Sequence, residues 1–369
     1  MSIRRRSASI AGFLFCLCAG ALAAPTLSEL AQRHQVCAVS VARLHQGQLQ
    51  RIEHASGCEL GRSLPDEPVY QAASLSKTVF AYLVLKLADE LGPERFDLDA
   101  PLSRYLPQGY WHQRSPARSE PATADLVPAS ALQALTARQL LQHGSGLPNW
   151  SAEALKPEQP AGAWHYSGEG YVLLQAAIEA ITGEPLDVLA RRRVFDPLQM
   201  AHTEFRWNAQ RLQADFIDGS AGNGRPMHVR SLLQPRAAFT LYTSAADYAR
   251  LLAALLAAPP LLQRIQERPL MVDPDLGLRW GLGFGLAAGR DGREPLLWHW
   301  GNNPGYRSFV IVSPTSGDAM VLLSSGEQGL ELAAPLAEPQ FGAPLPLFRF
   351  YMLRSGASHW LCKNLGWCH

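Results

Sequence analysis

A serine and a lysine three residues apart, at the mouth of the most apolar segment of the chain, constrain the fold more than any other feature. Ser74 opens the run Leu75-Ser76-Lys77-Thr78-Val79-Phe80-Ala81-Tyr82-Leu83-Val84-Leu85-Lys86-Leu87-Ala88. A segment apolar on nearly every side reads as a buried helix. Ser74 and Lys77 then lie on one face, a turn apart. Burying a lysine is costly unless it is paired or neutral, and the positive end of the helix dipole further disfavours its charge. Both effects favour a neutral amine, which can take the proton of Ser74 and make it a nucleophile. The chain has only four lysines against 29 arginines, so a lysine inside a core helix is not a casual choice. In the alternative reading Ser74 caps the helix and Lys77 snorkels to the surface.

The first residues point to export. Arg4-Arg5-Arg6 is a basic start, residues 10–22 are an apolar run, and Ala21-Leu22-Ala23 is a small-x-small cleavage site. That is the pattern of a secretory signal peptide over residues 1–23, giving a periplasmic or secreted chain that starts at Ala24. The run is short for a membrane span, and no later stretch reaches ~18 uninterrupted apolar residues. Neither Cys16 nor Cys18 has the small-residue approach of a lipoprotein signal, so no stable membrane anchor is expected after cleavage. An uncleaved N-terminal anchor is the alternative.

Four cysteines remain, Cys37, Cys58, Cys362 and Cys368, and in an oxidising compartment an even number suggests disulfides. Residues 36–46 and 49–56 alternate apolar and polar, with Gly47-Gln48 between them. A two-residue turn with glycine first suits a type II′ hairpin. In that register Gln46 faces Leu49 and Cys37 faces Cys58, close enough to bridge. Cys362 and Cys368 would close a small C-terminal loop. The alternative is free buried thiols.

About 346 mature residues suit two lobes better than one simple core. A net charge of +1 gives no broad electrostatic reason to seek nucleic acid or an anionic membrane. There is no His-Glu-x-x-His, no paired Cys-x-x-Cys and no phosphate-cradling glycine loop, so no metal or cofactor is expected. There is no Gly-x-Ser-x-Gly elbow either, which argues against an ordinary α/β-hydrolase. A helix over 27–34 precedes the hairpin, and residues 68–71 read as a third short strand. Helical patterns follow at 136–142, 170–181, 185–195 and 244–256. Residues 107–129, with four prolines, read as a long surface loop, a lid or a disordered segment. Strands return at 281–287, 296–300, 307–313 and 318–324, and a helix over about 330–353 closes the chain. The simplest architecture is α+β: an antiparallel sheet flanked by helices, built from 24–91 and 280–369, with a mainly helical lobe, 92–279, inserted.

Two further constellations carry chemistry. Trp164-His165-Tyr166-Ser167-Gly168-Glu169-Gly170-Tyr171 leads into an apolar helix. A tyrosine in such a turn can aim its phenol into a cleft and shuttle protons beside a lysine; the alternative is a core tyrosine with a satisfied hydroxyl. Trp298-His299-Trp300-Gly301-Asn302 ends a predicted strand. Gly301 lets another backbone approach closely, and the next amide is free to donate. His299 can supply a donor or a proton, or be purely structural. Trp150, Trp164, Trp298 and Trp300 lie near these motifs and read either as an aromatic pocket or as core.

Taken together, residues 71–326 resemble the serine β-lactamase and penicillin-binding-protein superfamily, most closely its class C and esterase-like branch. Ser74-x-x-Lys77 matches the nucleophile motif. Tyr166-Ser167-Gly168 falls where the family has Tyr-x-Asn, and His299-Trp300-Gly301 where it has Lys-Thr-Gly, or a His in many relatives. Leu140-Leu141-Gln142-His143-Gly144-Ser145-Gly146-Leu147-Pro148, Phe195-Asp196-Pro197-Leu198-Gln199-Met200 and Tyr242-Thr243-Ser244-Ala245-Ala246-Asp247 resemble three further family segments. The resemblance implies an acyl-enzyme on Ser74, with Lys77 and Tyr166 as general base and proton shuttle. It places the oxyanion hole at the amides of Ser74 and Asn302, His299 beside Tyr166 or the substrate, and Gly168, Trp300 and Gly301 against the substrate. Two departures matter. Gly168 lacks the amide side chain that would hold a β-lactam or peptide, and His299 is a weaker, conditional charge than lysine for a substrate carboxylate. The expected function is therefore a serine hydrolase of small esters or amides. A D-Ala-D-Ala-type peptidase or β-lactamase, and a non-catalytic penicillin-binding-like protein, are the alternatives.

Overall fold

The computed structural model describes residues 25–59, 63–114, 124–227, 229, 231–289, 292 and 295–354. The expected signal peptide and the expected Cys362–Cys368 loop lie outside the described residues.

After α1 (Leu27–Arg33), strands β1 (Ala38–His45) and β2 (Gln48–Ala55) form the N-terminal hairpin, and β3 (Val69–Ala73) leads into α2 (Ser76–Leu91). The middle of the chain supplies β4 (Tyr110–Gln113), β5 (Ala124–Val127), α3 (Ala137–Leu141), α4 (Gly168–Thr182), α5 (Leu186–Ala190) and α6 (Ala209–Leu212). Next come β6 (Leu241–Ser244), α7 (Ala245–Leu256) and α8 (Pro259–Gln266). Strands β7 (Leu270–Asp273), β8 (Leu278–Trp280), β9 (Gly285–Ala288), β10 (Pro295–Asn303), β11 (Tyr306–Ser313) and β12 (Asp318–Ser325) follow, then α9 (Ala333–Phe341).

Eight strands make one antiparallel sheet in the order β2-β1-β12-β11-β10-β9-β8-β7. Both ends of the chain thus meet in one sheet, which reaches back to Leu270. Alternate side chains serve two cores, as the two-residue period of a strand demands. Val310, Val312, Val321 and Leu323 pack with α2, α4 and α7. Phe309, Ile311, Met320, Leu322 and the indoles of Trp298 and Trp300 pack with α1 and α9 on the other face. Burial on both faces explains why these strands read as nearly continuous apolar runs.

Several expectations are corrected in detail. The hairpin turn is Gln46-Gly47, both at positive φ (51° and 77°), and His45 faces Gln48. Gly47 N donates to Gly317 O at 2.8 Å, so the neighbouring β11–β12 turn holds this conformation. A bulge between Arg43 and Leu44 then shifts the register so that Val39 faces Ala55. Cys37 and Cys58, just beyond the strand ends, are bridged as expected. β3 does not join the main sheet but pairs with β6. The expected loop at 107–129 contains the paired strands β4 and β5; residues 115–123 between them lie outside the described residues. The expected closing helix ends at Phe341, because Gly342 turns the chain at φ 98° and Pro344 and Pro346 follow. Short 3-10 turns, Pro346–Arg349 and Tyr351–Leu353, replace its second half.

The Cys37–Cys58 bridge spans a sequence separation of 21, and closing a loop of that size is worth about 2–4 kcal/mol. Replacing both cysteines with alanine should lower the unfolding free energy by that amount in a denaturant titration while leaving turnover per folded molecule unchanged. An unaltered midpoint would mean that the bridge contributes nothing to the fold.

Candidate active site

The candidate site lies where the start of α2, the turn before α4 and the end of β10 converge. Ser74 sits between β3 and α2. The residue before it, Ala73, is held at φ 50°, a left-handed conformation that costs a non-glycine residue roughly 1–2 kcal/mol. Ser76 Oγ donates to the Ala73 carbonyl at 2.5 Å and accepts from Leu241 N at 2.9 Å, which fixes the bend. The helix begins without a side-chain cap and with no acidic residue in its first turn. Its positive end is therefore left uncompensated beside Ser74, suited to charge that develops there. Neither half of the alternative reading holds, since Ser74 is not a cap and Lys77 is fully buried.

Lys77 Nζ lies 3.2 Å from Ser74 Oγ and donates to the Ala238 carbonyl at 2.7 Å. Burial alone pushes its ammonium down to about 7, so the free amine becomes accessible near neutral pH. The Tyr166 ring stands 4.8 Å from Nζ. Its buried hydroxyl faces Ser74 without a well-formed hydrogen bond to any described residue. Burial raises this phenol above its usual value, and the Ser74 hydroxyl opposes the shift only in part.

Tyr166 is placed by the segment 140–149. Ser167 caps α4 by accepting from Gly170 N at 2.8 Å, donates its hydroxyl to Pro148 O at 2.8 Å, and donates its own N–H to His143 Nδ1 at 3.1 Å. The His143 ring lies 4.3 Å from the Tyr166 ring, and desolvation holds this imidazole well below its usual range. On the other side the Trp300 indole packs 5.1 Å from Tyr166. Trp300 is 4% exposed and faces Trp298 and Phe350, so it backs Tyr166 instead of lining an open cleft. Trp298 is core as well, Trp164 is half-buried beside His143, and Trp150 is the exposed member of the four.

The close backbone approach expected at Gly301 is present. A Cβ there would come within 2.5 Å of the Ala72 carbonyl and 2.2 Å of Ser308 Oγ. The strand that leads to Ser74, β3, therefore packs directly against Gly301 of β10, and Ser308 Oγ donates to Ala72 O at 2.7 Å. Asn302 is exposed and faces Arg307 across β11. Hydrogen-bonded and non-bonded pairs alternate along such a ladder. Counting from the two-residue Pro304-Gly305 turn, the Asn302 amide points away from β11. β9 covers β10 only over Pro295–Trp298, which leaves that amide open.

His299 departs from the role the resemblance implies. Its Nδ1 is engaged by the backbone of Trp300, 2.8 Å from N and 2.7 Å from O, and its Nε2 is buried without a partner among the described residues. Burial, reinforced by the Lys77 charge, lowers it to about 3. It is neutral at working pH, and no hydrogen bond joins it to Tyr166, whose ring centre is 6.2 Å away. Gly168 has lost more than an amide, because a Cβ there would meet the Trp150 indole at 2.5 Å. The reading from sequence missed the packing of the His143 ring against Tyr166, the Ala238 carbonyl as the partner of Lys77, and the buried Asn303 Nδ2 that donates to Gln71 Oε1 at 2.8 Å. Only His143 carried a signal, inside the Leu-Leu-x-His segment.

Ser74, at a helix start just after the strained Ala73, touches a buried lysine and is faced by a buried phenol, an arrangement suited to an activated serine nucleophile. The Beta-lactamase family model matches residues 24–341, and the chain belongs to that family. It is 25% identical over 228 residues to a putative penicillin-binding protein PbpX of Bacillus subtilis, covering 57% of this chain and 56% of that one. It is 26% identical over 224 residues to esterase EstB of Burkholderia gladioli, covering 52% of each. The chain thus spans about half the length of these curated relatives. A D-stereospecific amidohydrolase from Streptomyces sp. shares the fold, with a TM-score of 0.66 at 20% identity, 86% of this chain and 97% of that chain covered.

Proposed function

We propose that this chain hydrolyses short esters or small amides through an acyl-enzyme on Ser74, outside the cytoplasm. The carrying observation is the contact between Ser74 Oγ and a buried Lys77 whose ammonium is held down to about 7. In the first half-reaction Ser74 Oγ attacks the carbonyl carbon as neutral Lys77 takes its proton. The amides of Ser74 and Asn302 receive the oxyanion. Tyr166 passes the proton to the departing alkoxide or amine, and the C–O or C–N bond breaks. Water then attacks the acyl carbonyl and gives a proton to the Lys77–Tyr166 pair; the acyl C–Oγ bond breaks, the pair returns that proton to Ser74 Oγ, and the carboxylic acid leaves. Export is supported by the signal-like first 23 residues and by the Cys37–Cys58 bridge, since disulfides persist in oxidising compartments. Recovery of the protein only from cytosol would overturn that part.

Esters are favoured over β-lactams and D-Ala-D-Ala peptides by two features. A neutral His299 gives a substrate carboxylate no charge, and Gly168 offers no side-chain amide. Each missing hydrogen bond costs on the order of 1–3 kcal/mol, so losing both costs roughly 10²- to 10⁴-fold in kcat/KM. p-Nitrophenyl acetate and butyrate should be hydrolysed, with nitrocefin turned over slowly or not at all and Ser74→Ala inert toward both and toward a fluorophosphonate probe. Nitrocefin turnover above ester turnover would restore the lactamase reading. Equal probe labelling of wild type and Ser74→Ala would exclude the acyl-enzyme.

A further inference from the structure

We infer that Trp150, backed by Phe239, forms the acyl-side wall of the Ser74 cleft and restricts it to short, apolar acyl groups. This rests on the hydrolase reading above and goes further, to what decides which acyl group fits.

Trp150 is a large aromatic left 37% exposed, yet its neighbours in the chain are fastened. Asn149 accepts twice from Gly168 N, through Oδ1 at 3.0 Å and through O at 3.1 Å, and its carbonyl also takes Glu169 N. Ser151 N donates to Oε1 of the fully buried Glu169 at 2.9 Å. The indole is thus clamped on both sides to the first turn of α4, the turn that Tyr166 precedes. Its Cη2 and Cζ2 fill the space a side chain at 168 would take, 2.5 and 2.7 Å from an ideal Cβ. Glycine at 168 is therefore what admits the indole, and polar contact from that position is replaced by an apolar face.

The far side of the indole meets Phe239 edge-on, ring centres 5.2 Å apart. Phe239 follows Ala238, whose carbonyl holds Lys77, and its own carbonyl accepts from Asn303 Nδ2 at 3.3 Å. The aromatic pair therefore spans from the Tyr166 turn to the Lys77 anchor, the two sides of the reacting serine. A rigid indole in that position takes volume from the acyl group, and a single methylene in an apolar pocket shifts specificity by roughly 10–200-fold.

The test compares chain length with two independent readouts. Wild type should favour p-nitrophenyl acetate over the octanoate, and Trp150→Ala should raise the octanoate-to-acetate ratio of kcat/KM about tenfold or more. Phe239→Ala should move it the same way, while Trp150→Phe, which keeps a ring, should move it less. Labelling rates of Ser74 by ethyl and octyl fluorophosphonates should show the same shift whether or not esters are turned over. Failure of ester hydrolysis with a shifted labelling ratio would sink the substrate class but keep the wall. An unshifted ratio in both Trp150→Ala and Phe239→Ala, with labelling intact, would overturn the wall.

Discussion

Lys77→Met should lower kcat/KM for p-nitrophenyl esters by about 10²–10⁴-fold, the usual worth of a general base, and remove the neutral-pH limb of the rate profile. In the wild type that limb follows the amine. The ordinary lysine value of 10.5 is brought to about 7 by desolvation, so the active fraction falls tenfold per pH unit below 6 and levels off above 8. Neither imidazole near Ser74 adds a limb, since His299 titrates near 3 and His143 well below its usual range. The linkage has the same sign. Between pH 7 and 10.5 the unfolded chain holds a proton on Lys77 that the folded chain has lost, so stability rises with pH across that window. Methionine removes the buried charge but leaves the Ala238 carbonyl without its donor, and the far-ultraviolet spectrum should be unchanged. A variant with a wild-type pH profile would show that another group is the base.

The lysine was legible in the sequence because burial and neutralisation follow from the apolar run around it. The apolar runs at 307–313 and 318–324, split by a Pro-Thr-Ser-Gly turn, likewise gave strands that the structure extends by a residue. What could not be read depends on contacts distant in sequence. The Gln46-Gly47 turn is set by Gly317 in another hairpin, and β3 pairs with β6, some 170 residues on. His299 reads as a potential donor or cation, and only the packing of Trp280 and Trp300 around it shows it to be dry and neutral. Gly168 likewise reads as a missing amide until the Trp150 indole is found in its place. Local pattern identifies which groups carry the chemistry, whereas their protonation and neighbours are tertiary properties.

Tyr166→Phe should lower turnover by about 10²–10⁴-fold, or roughly 3–5 kcal/mol at 1.36 kcal/mol per decade, with the fold retained. The ring contacts to His143 and Trp300 survive this change, and the lost hydroxyl makes no well-formed hydrogen bond in the resting enzyme. Stability should therefore hold or rise slightly, because a buried unpaired hydroxyl is removed. The raised phenol is a poor base in the resting enzyme. Its role is transfer, accepting a proton from Lys77 or Ser74 as it gives its own to the leaving group. The loss should consequently grow with the basicity of that group. An ethyl ester, which must leave as ethanol, should suffer more than a p-nitrophenyl ester, whose phenolate departs unaided. Equal losses on both would make Tyr166 a positioning residue and leave Lys77 to protonate the leaving group alone.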